Sequence, residues 1–364
     1  MDMEHIKFVC ERAGKSTRQT TFHISADPAA EPGADDMEGC EGMDALEEWA
    51  RTVGALLSPV VVRARSIRVD CADPYGLFLL LSHMGAQNAL GLSQLRCYSM
   101  IRRTDDFDYL GPIQSPRLQL LSVSRINPIG LAPTNSRPNL LHNVTVLRLC
   151  YVVPDLTWDQ AILILSSCAA LEELDVVAMP IVGDPGTTVL HLPHLRTLYM
   201  EISERGALQL AAIIRVPAIE YLTVRGESWD DWDRLVSECG EMLRKVKRCC
   251  ICTYYYSLRI KDFIGELHSA RVIDIRSGGA RFTSSLTRSD GPGPPTLKHL
   301  KRWFVAADLS SPNADVLFDW PGSAVETIYA WTKEERDDRF MEWKQTGDGY
   351  KLTRISINIE RLWE

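Results

Sequence analysis

VTVLRL at Val144–Leu149, LEELDV at Leu171–Val176, LRTLYM at Leu195–Met200 and IEYLTV at Ile219–Val224 share one spacing, apolar-x-x-apolar-x-apolar. The last three positions of this spacing alternate, as a strand buried on one face requires. Working outward, ARVIDI at Ala270–Ile275 and LTRISI at Leu352–Ile357 follow the same rule. Twelve copies begin at Ala64, Leu92, Leu118, Val144, Leu171, Leu195, Ile219, Leu243, Ala270, Leu297, Val325 and Leu352, at intervals of 24 to 28 residues.

A period in that range marks leucine-rich repeats, in which each short strand and its return bury apolar surface only against neighbouring copies. The fold expected is α/β, a leucine-rich repeat solenoid with a curved parallel sheet and irregular helical or loop returns. Strands are predicted at Ser66–Asp70, Gln94–Tyr98, Leu120–Ser124, Val146–Cys150, Glu173–Val177, Thr197–Glu201, Tyr221–Arg225, Lys245–Cys249, Val272–Arg276, His299–Trp303, Thr327–Trp331 and Arg354–Asn358. Two copies break the rule, because Arg248 and Arg302 fall where inward apolar residues belong. A bare buried charge is costly, so a bulge, a register change or an edge-facing excursion is expected at both, with Trp303 and Phe304 taking over the apolar contacts in the second.

Helical returns are predicted at Trp158–Ser166, Arg205–Ile214, Trp229–Glu238 and Leu258–Leu267, with Thr157 and Ser228 as oxygen caps for the first and third. Proline and glycine instead favour loops over Pro128–Pro138, Pro180–Pro193 and Gly278–Pro295. Residues 1–43 end in the Pro/Gly/Ala/acidic run SADPAAEPGADDMEGCEG and read as a poorly ordered segment, although HIKFVCERA has the makings of a short helix or strand. Asp44–Leu57, with Leu46, Trp49, Val53 and Leu57 on one face, predicts an amphipathic helix within a capping segment, 44–63. Residues 64–364 form the repeat domain of about twelve units.

An apolar fraction of 45% and a charged fraction of 24% suit a folded soluble chain. The aliphatic run around Leu77–Leu81 is far too short to cross a bilayer, and the start lacks the charged-then-apolar form of an export signal. An intracellular, cytoplasmic or nuclear protein is expected, with its ten cysteines mostly buried and reduced. A net charge of −8 opposes general nucleic-acid binding, and RKVKR at Arg244–Arg248 reads as a solvated repeat edge.

Motifs for chemistry fail on spacing. GKST at Gly14–Thr17 has Val9 where a phosphate loop needs its first glycine. His191 and His194 flank Pro193 with no ligand pattern to complete a metal site, and CCIC at Cys249–Cys252 lacks a second ligand pair, although Cys239 and His268 lie within reach in sequence. Asp230, Asp231 and Asp233 open a helix, where negative charge suits the dipole. SDGPGPP at Ser289–Pro295 lacks amides for a phosphate cradle, and no nucleophile elbow or HExxH helix occurs. Neither cofactor, metal nor catalytic residue is expected.

The remaining candidates are outward strand residues that would project from the concave sheet surface: Arg68, Arg96, Tyr98, Arg148, Tyr199, Tyr221, Arg225, Arg276, Trp303, Tyr329 and Trp331. Arginine and aromatic side chains join broad contact area to directional polar bonds and dominate protein interfaces. The competing account makes the aromatics covers for repeat edges and the arginines merely solvated.

VTVLRL, LEELDV, LRTLYM and IEYLTV, with their irregular loops, resemble the repeat region of fungal F-box-like leucine-rich repeat proteins, over about 64–364. The resemblance implies non-enzymatic protein recognition as a substrate receptor for a ubiquitin ligase, with an unidentified protein partner and a Skp1-type adaptor. The chain departs from that family at its start, where no F-box-like stretch precedes the repeats, and LPHL at Leu192–Leu195 is a repeat junction. The alternative is a scaffold or regulator independent of ubiquitination; an enzyme is third.

Overall fold

The first apolar residue of a repeat closes a tight turn. In the computed structural model the Leu92 amide donates to the Ala89 carbonyl, Leu118 to Ser115, Val144 to Leu141, Leu171 to Cys168, Ile219 to Val216 and Ala270 to Leu267, at 3.0–3.3 Å. These turns deliver Leu92, Leu118, Val144, Leu171, Ile219 and Ala270 into the core, each at most 2% exposed. At the very next residue a second feature recurs, one carbonyl accepting two successive amides of the following repeat. Ser93 O accepts from Gln119 and Leu120, Gln119 O from Thr145 and Val146, Thr145 O from Glu172 and Glu173, Arg196 O from Glu220 and Tyr221, Glu220 O from Lys247 and Arg248, and Lys247 O from Arg271 and Val272. The paired bonds set the register with which each strand enters the sheet.

The structure describes residues 20–26, 40–71, 74–85, 89–99, 110, 113, 115–128, 139–153, 155–202, 205–226, 229–253, 259–277, 302–306, 327–334, 337–346 and 349–355. Two units divide the chain, Met1–His194 and Leu195–Glu364.

In Met1–His194, β1 (Thr20–Ala26), β2 (Ala64–Cys71), β3 (Gln94–Ser99), β4 (Leu120–Ser124), β5 (Val146–Cys150) and β7 (Glu173–Val177) pair in that order, all parallel. Between β5 and β7 lies β6 (Leu156–Thr157), paired to β8 (Ile181–Val182); β9 (Leu190–His191) follows. Alternation turns two apolar rows inward, Phe22–Ile67–Leu95–Leu121–Leu147–Leu174 and Ile24–Val69–Cys97–Val123–Leu149–Val176. All are buried, and burying each large aliphatic side chain contributes about 1.5–3 kcal/mol.

Helix α1 (Cys40–Val61) extends the predicted capping helix at both ends and buries Ala50, Val53, Leu57, Val60 and Val61. It packs on α2 (Pro74–His83), an element not foreseen because its Leu77–Leu81 run is buried almost all round and shows no amphipathic period. Gly54 makes the approach of the two helices possible. Helix α3 (Trp158–Ser166) has the predicted bounds, and Thr157 caps it reciprocally, accepting from the Gln160 amide while Gln160 Oε1 accepts from the Thr157 amide. The Pro180–Pro193 return is irregular as expected, with Gly183 and Gly186 at φ 95° and 61°. The segment 1–43, read as poorly ordered, contains β1, whose Phe22 and Ile24 extend the two apolar rows by one strand.

In Leu195–Glu364, β10 (Thr197–Glu201), β12 (Tyr221–Gly226), β13 (Arg248–Thr253), β14 (Val272–Ser277), β15 (Arg302–Ala306) and β16 (Thr327–Glu334) are parallel neighbours. Short β11 (Ile214–Arg215) precedes β12, and the returns are α4 (Arg205–Ile213), α5 (Trp229–Leu243) and α6 (Arg259–Glu266), close to three of the predicted helices. Trp232 of α5 meets Phe263 of α6 edge to face at 5.3 Å, both fully buried. Gly226 ends β12 under the Trp232 ring, which a Cβ would approach to 2.9 Å.

The two copies that broke the pattern are shifted by three residues. In the eighth the turn closes from Val246 to Leu243, so the motif is Val246-x-x-Cys249-x-Ile251, all three buried, and Arg248 pairs with Tyr221 on the opposite row. In the tenth, Trp303 is in register with Ile273 and Ile328, and Arg302 with Val272 and Thr327. Neither arginine holds an inward position, which removes the need for a buried charge. The last copy also differs: β17 (Asp337–Thr346) and β18 (Gly349–Ile355) follow β16 as antiparallel strands, so Leu352 does not begin another parallel unit. The Gly278–Pro295 return, most of Pro128–Pro138, the Ser228 cap and GKST lie outside the described residues.

Candidate recognition face

The residues between the apolar rows form the outward face of each sheet. In Met1–His194 the central row reads His23–Arg68–Arg96–Ser122–Arg148–Asp175. The row on the C-terminal side reads Ser25–Asp70–Tyr98–Ser124–Cys150–Val177. Parallel pairing at about 4.8 Å per strand thus brings Arg68, Arg96, Tyr98 and Arg148, far apart in sequence, onto one surface.

Charges on this surface are partly matched. Arg68 binds Asp70 at 2.9 Å, and His23 Nε2 lies 2.7 Å from the same carboxylate. Burial pulls the Asp70 carboxyl up, but the hydrogen bonds from Arg68 and His23 and their positive charge outweigh it and leave the group below the ordinary carboxylate value. Arg148 donates to Glu173 at 2.8 Å on the next strand, while its register partner Asp175 stands differently. Burial pushes the Asp175 carboxyl up to about 6 against the pull of Arg148, with Glu173 adding to the rise. Its Oδ1 is buried without a hydrogen-bond partner among the described residues. Arg96, exposed in the middle of the row, makes no ion pair or hydrogen bond among the described residues.

Strand ends add side chains that periodicity passed over. Arg125, Tyr151 and Ala178 directly follow β4, β5 and β7 and adopt φ of 58°, 53° and 44°. This left-handed step bends the chain out of the strand direction at the same point of three successive repeats. It leaves the Arg125 guanidinium 5.8 Å from the Tyr98 ring centre and 5.9 Å from that of Tyr151, distances of cation–π contact.

In Leu195–Glu364 the outward rows are Thr197–Tyr221–Arg248–Val272, Tyr199–Thr223–Cys250–Asp274 and Glu201–Arg225–Cys252–Arg276. Tyr199, Tyr221, Arg225 and Arg276 therefore share this face. Arg248, absent from the sequence-based set, lies 5.2 Å from the Tyr221 ring centre, and Arg225 pairs with Glu201 at 3.6 Å. Tyr329 is in register with Phe304 and hence Asp274, and Trp331 with Ala306, both on outward rows. Trp303 does not belong with them: its partners Ile273 and Ile328 place it on the row that Leu222 and Cys249 occupy. The three-residue shift of β15 hid this in the sequence.

Among the described residues no group of three or more His, Cys, Asp or Glu could hold a metal ion. CCIC is divided by alternation: Cys249 faces inward, its thiol pushed up by burial, while Cys250 and Cys252 face outward with their sulfurs 3.9 Å apart. Cys71, Cys97, Cys150, Cys168, Cys239, Cys249, Cys250 and Cys252 are thiols outside any disulfide, and burial pushes those of Cys168 and Cys239 up to about 12, where they are inert. His191 and His194 are exposed, and Asp231 and Asp233 lie in the first turn of α5 as expected. Among the described residues no helix is long and apolar enough to cross a membrane.

No protein-family model matches the chain, and no curated protein is significantly similar to it in sequence.

Proposed function

We propose that this chain is a non-enzymatic protein-recognition module built as a leucine-rich-repeat-like solenoid, and that the outward strand rows bind its partner. One observation carries the reading: Arg68, Arg96, Tyr98 and Arg148 occupy an outward face on neighbouring parallel strands, backed by unbroken buried apolar rows. Rigid strands present such side chains at low entropic cost, and arginine and tyrosine combine contact area with directional bonding. The recurring turn and doubly accepting carbonyl support the repeat reading, and free thiols suit the cytoplasm or nucleus.

The finer reading, from the sequence resemblance, is a substrate receptor that joins a Skp1-type adaptor. The test compares proteins captured from a fungal extract by the full chain and by R96A/Y98A, quantified by mass spectrometry. Point substitutions are preferable to removal of residues 1–43, which would strip β1 from β2. Partners lost with the variant support face recognition; equal capture by a folded variant refutes it. Skp1-type adaptor and cullin in the captured set support the ubiquitin-ligase role, and their absence alongside a reproducible partner favours an independent scaffold.

A further inference from the structure

We infer that the outward face of Met1–His194 binds an extended acidic peptide segment of a partner protein, with Arg96 as its principal carboxylate contact. The inference rests on the recognition reading above and names the chemistry of the partner.

Arg68 is matched by Asp70 and Arg148 by Glu173, each within 2.9 Å. Arg96, between them on β3, is exposed and makes no ion pair among the described residues. Among the described residues of the two outward rows the acidic group left is Asp175, which lies three strands from Arg96, about 14 Å away at the usual strand spacing, its carboxyl raised by burial to about 6. Counted over the described residues, the middle of the face is therefore locally positive on a chain whose net charge is −8. Beside Arg96, two residues along β3, Tyr98 opens the Tyr98–Arg125–Tyr151 cluster. Tyr151 is 36% exposed and follows the left-handed bend after β5, so the cluster offers a stiff aromatic platform next to the cation.

A peptide suits this arrangement better than a nucleic acid does. A phosphate backbone carries closely spaced charges and needs an extended basic field, whereas this face also carries Asp70, one strand from Arg96, and Glu173, three strands away on the other side. A peptide can place one carboxylate on Arg96 and lay its backbone and side chains over the tyrosines, meeting the flanking acids with uncharged residues. Recurring arginine and tyrosine anchors are suited to that mixture.

The test uses the full chain and a fluorescein-labelled decapeptide of alternating glutamate and glycine, followed by anisotropy at low salt. Binding is expected, with at least about tenfold loss in the glutamine–glycine peptide and in R96E, which breaks no ion pair among the described residues. Arg63→Glu makes the same charge change away from the sheet face and should change affinity less than about twofold. Equal affinity of R96E and R63E, with unfolding transitions like the wild type's, would overturn the assignment. So would displacement of the peptide by oligouridylate at lower concentration than by unlabelled peptide. If capture of a protein partner depends on Arg96 while the acidic peptide fails to bind, the recognition face stands and its acidic specificity falls.

Discussion

Gly54 of α1 lies against His83 of α2 so closely that a Cβ built on it would stand 2.5 Å from the His83 Cβ and 2.7 Å from the His83 carbonyl carbon. Backbone cannot yield as a flexible side chain does. Gly54→Ala is therefore expected to destabilise the unit by about 1–2 kcal/mol, the overpacking cost exceeding the usual helical gain of alanine over glycine. Urea unfolding of the variant measures it; a stabilised variant would mean that the helices are not so closely apposed.

Ala178 carries a φ of 44°, which its side chain resists, at the residue following β7. Ala178→Gly should stabilise the chain by about 0.5–1 kcal/mol, because relief of that strain exceeds the entropy glycine loses. Thermal unfolding is sufficient to read it, and a lower midpoint would argue against the left-handed step.

Asp175 makes stability depend on pH in an unusual direction. Its folded carboxyl titrates at about 6, above the ordinary value near 4. The folded chain holds this proton more tightly than the unfolded chain does, so this residue's contribution to stability falls as pH rises from about 4 to 6. Asp175→Asn should remove that loss, gaining about 1–2 kcal/mol at pH 7.5 relative to its standing at pH 4, after discounting for solvent screening. Denaturant midpoints of both proteins at the two pH values should diverge; parallel profiles would contradict the raised value.

Thr157 and Gln160 satisfy each other's backbone amides at the start of α3. Thr157→Ala should cost about 0.5–2 kcal/mol, whereas Thr157→Ser, which keeps the acceptor, should cost much less. Equal losses in the two variants would assign the effect to the methyl group instead of the cap.

How far the sequence could be read depended on whether a residue's character matched its row. β4, β5, β7 and β10 have the predicted bounds because Leu, Val and Met fill their inward positions without exception. β13 and β15 start three residues later than expected, since Leu243 and Leu297 imitate a repeat start and the residues that fill the inward slot are Cys249 and Trp303. β1 was hidden by the acidic, proline-bearing run behind it, and α2 by a helix face apolar all round. On the candidate face, alternation alone located Arg68, Arg96, Tyr98 and Arg148. Arg125 and Tyr151 escaped because their positive φ breaks the alternation, and nothing in a tyrosine or arginine announces that conformation.

The antiparallel turn of β17 and β18 against β16 bears on solubility. A ladder of parallel strands ending at β16 would leave its last row of amides and carbonyls open to the first strand of another molecule, and head-to-tail fibres could grow from such an end. The two returning strands occupy that row instead, and the outermost of the described strands in this unit, β18, carries Lys351 and Arg354. Charges on an outermost strand deter further pairing. The departure from the repeat at Leu352 thus withholds the edge of β16 from pairing with another molecule.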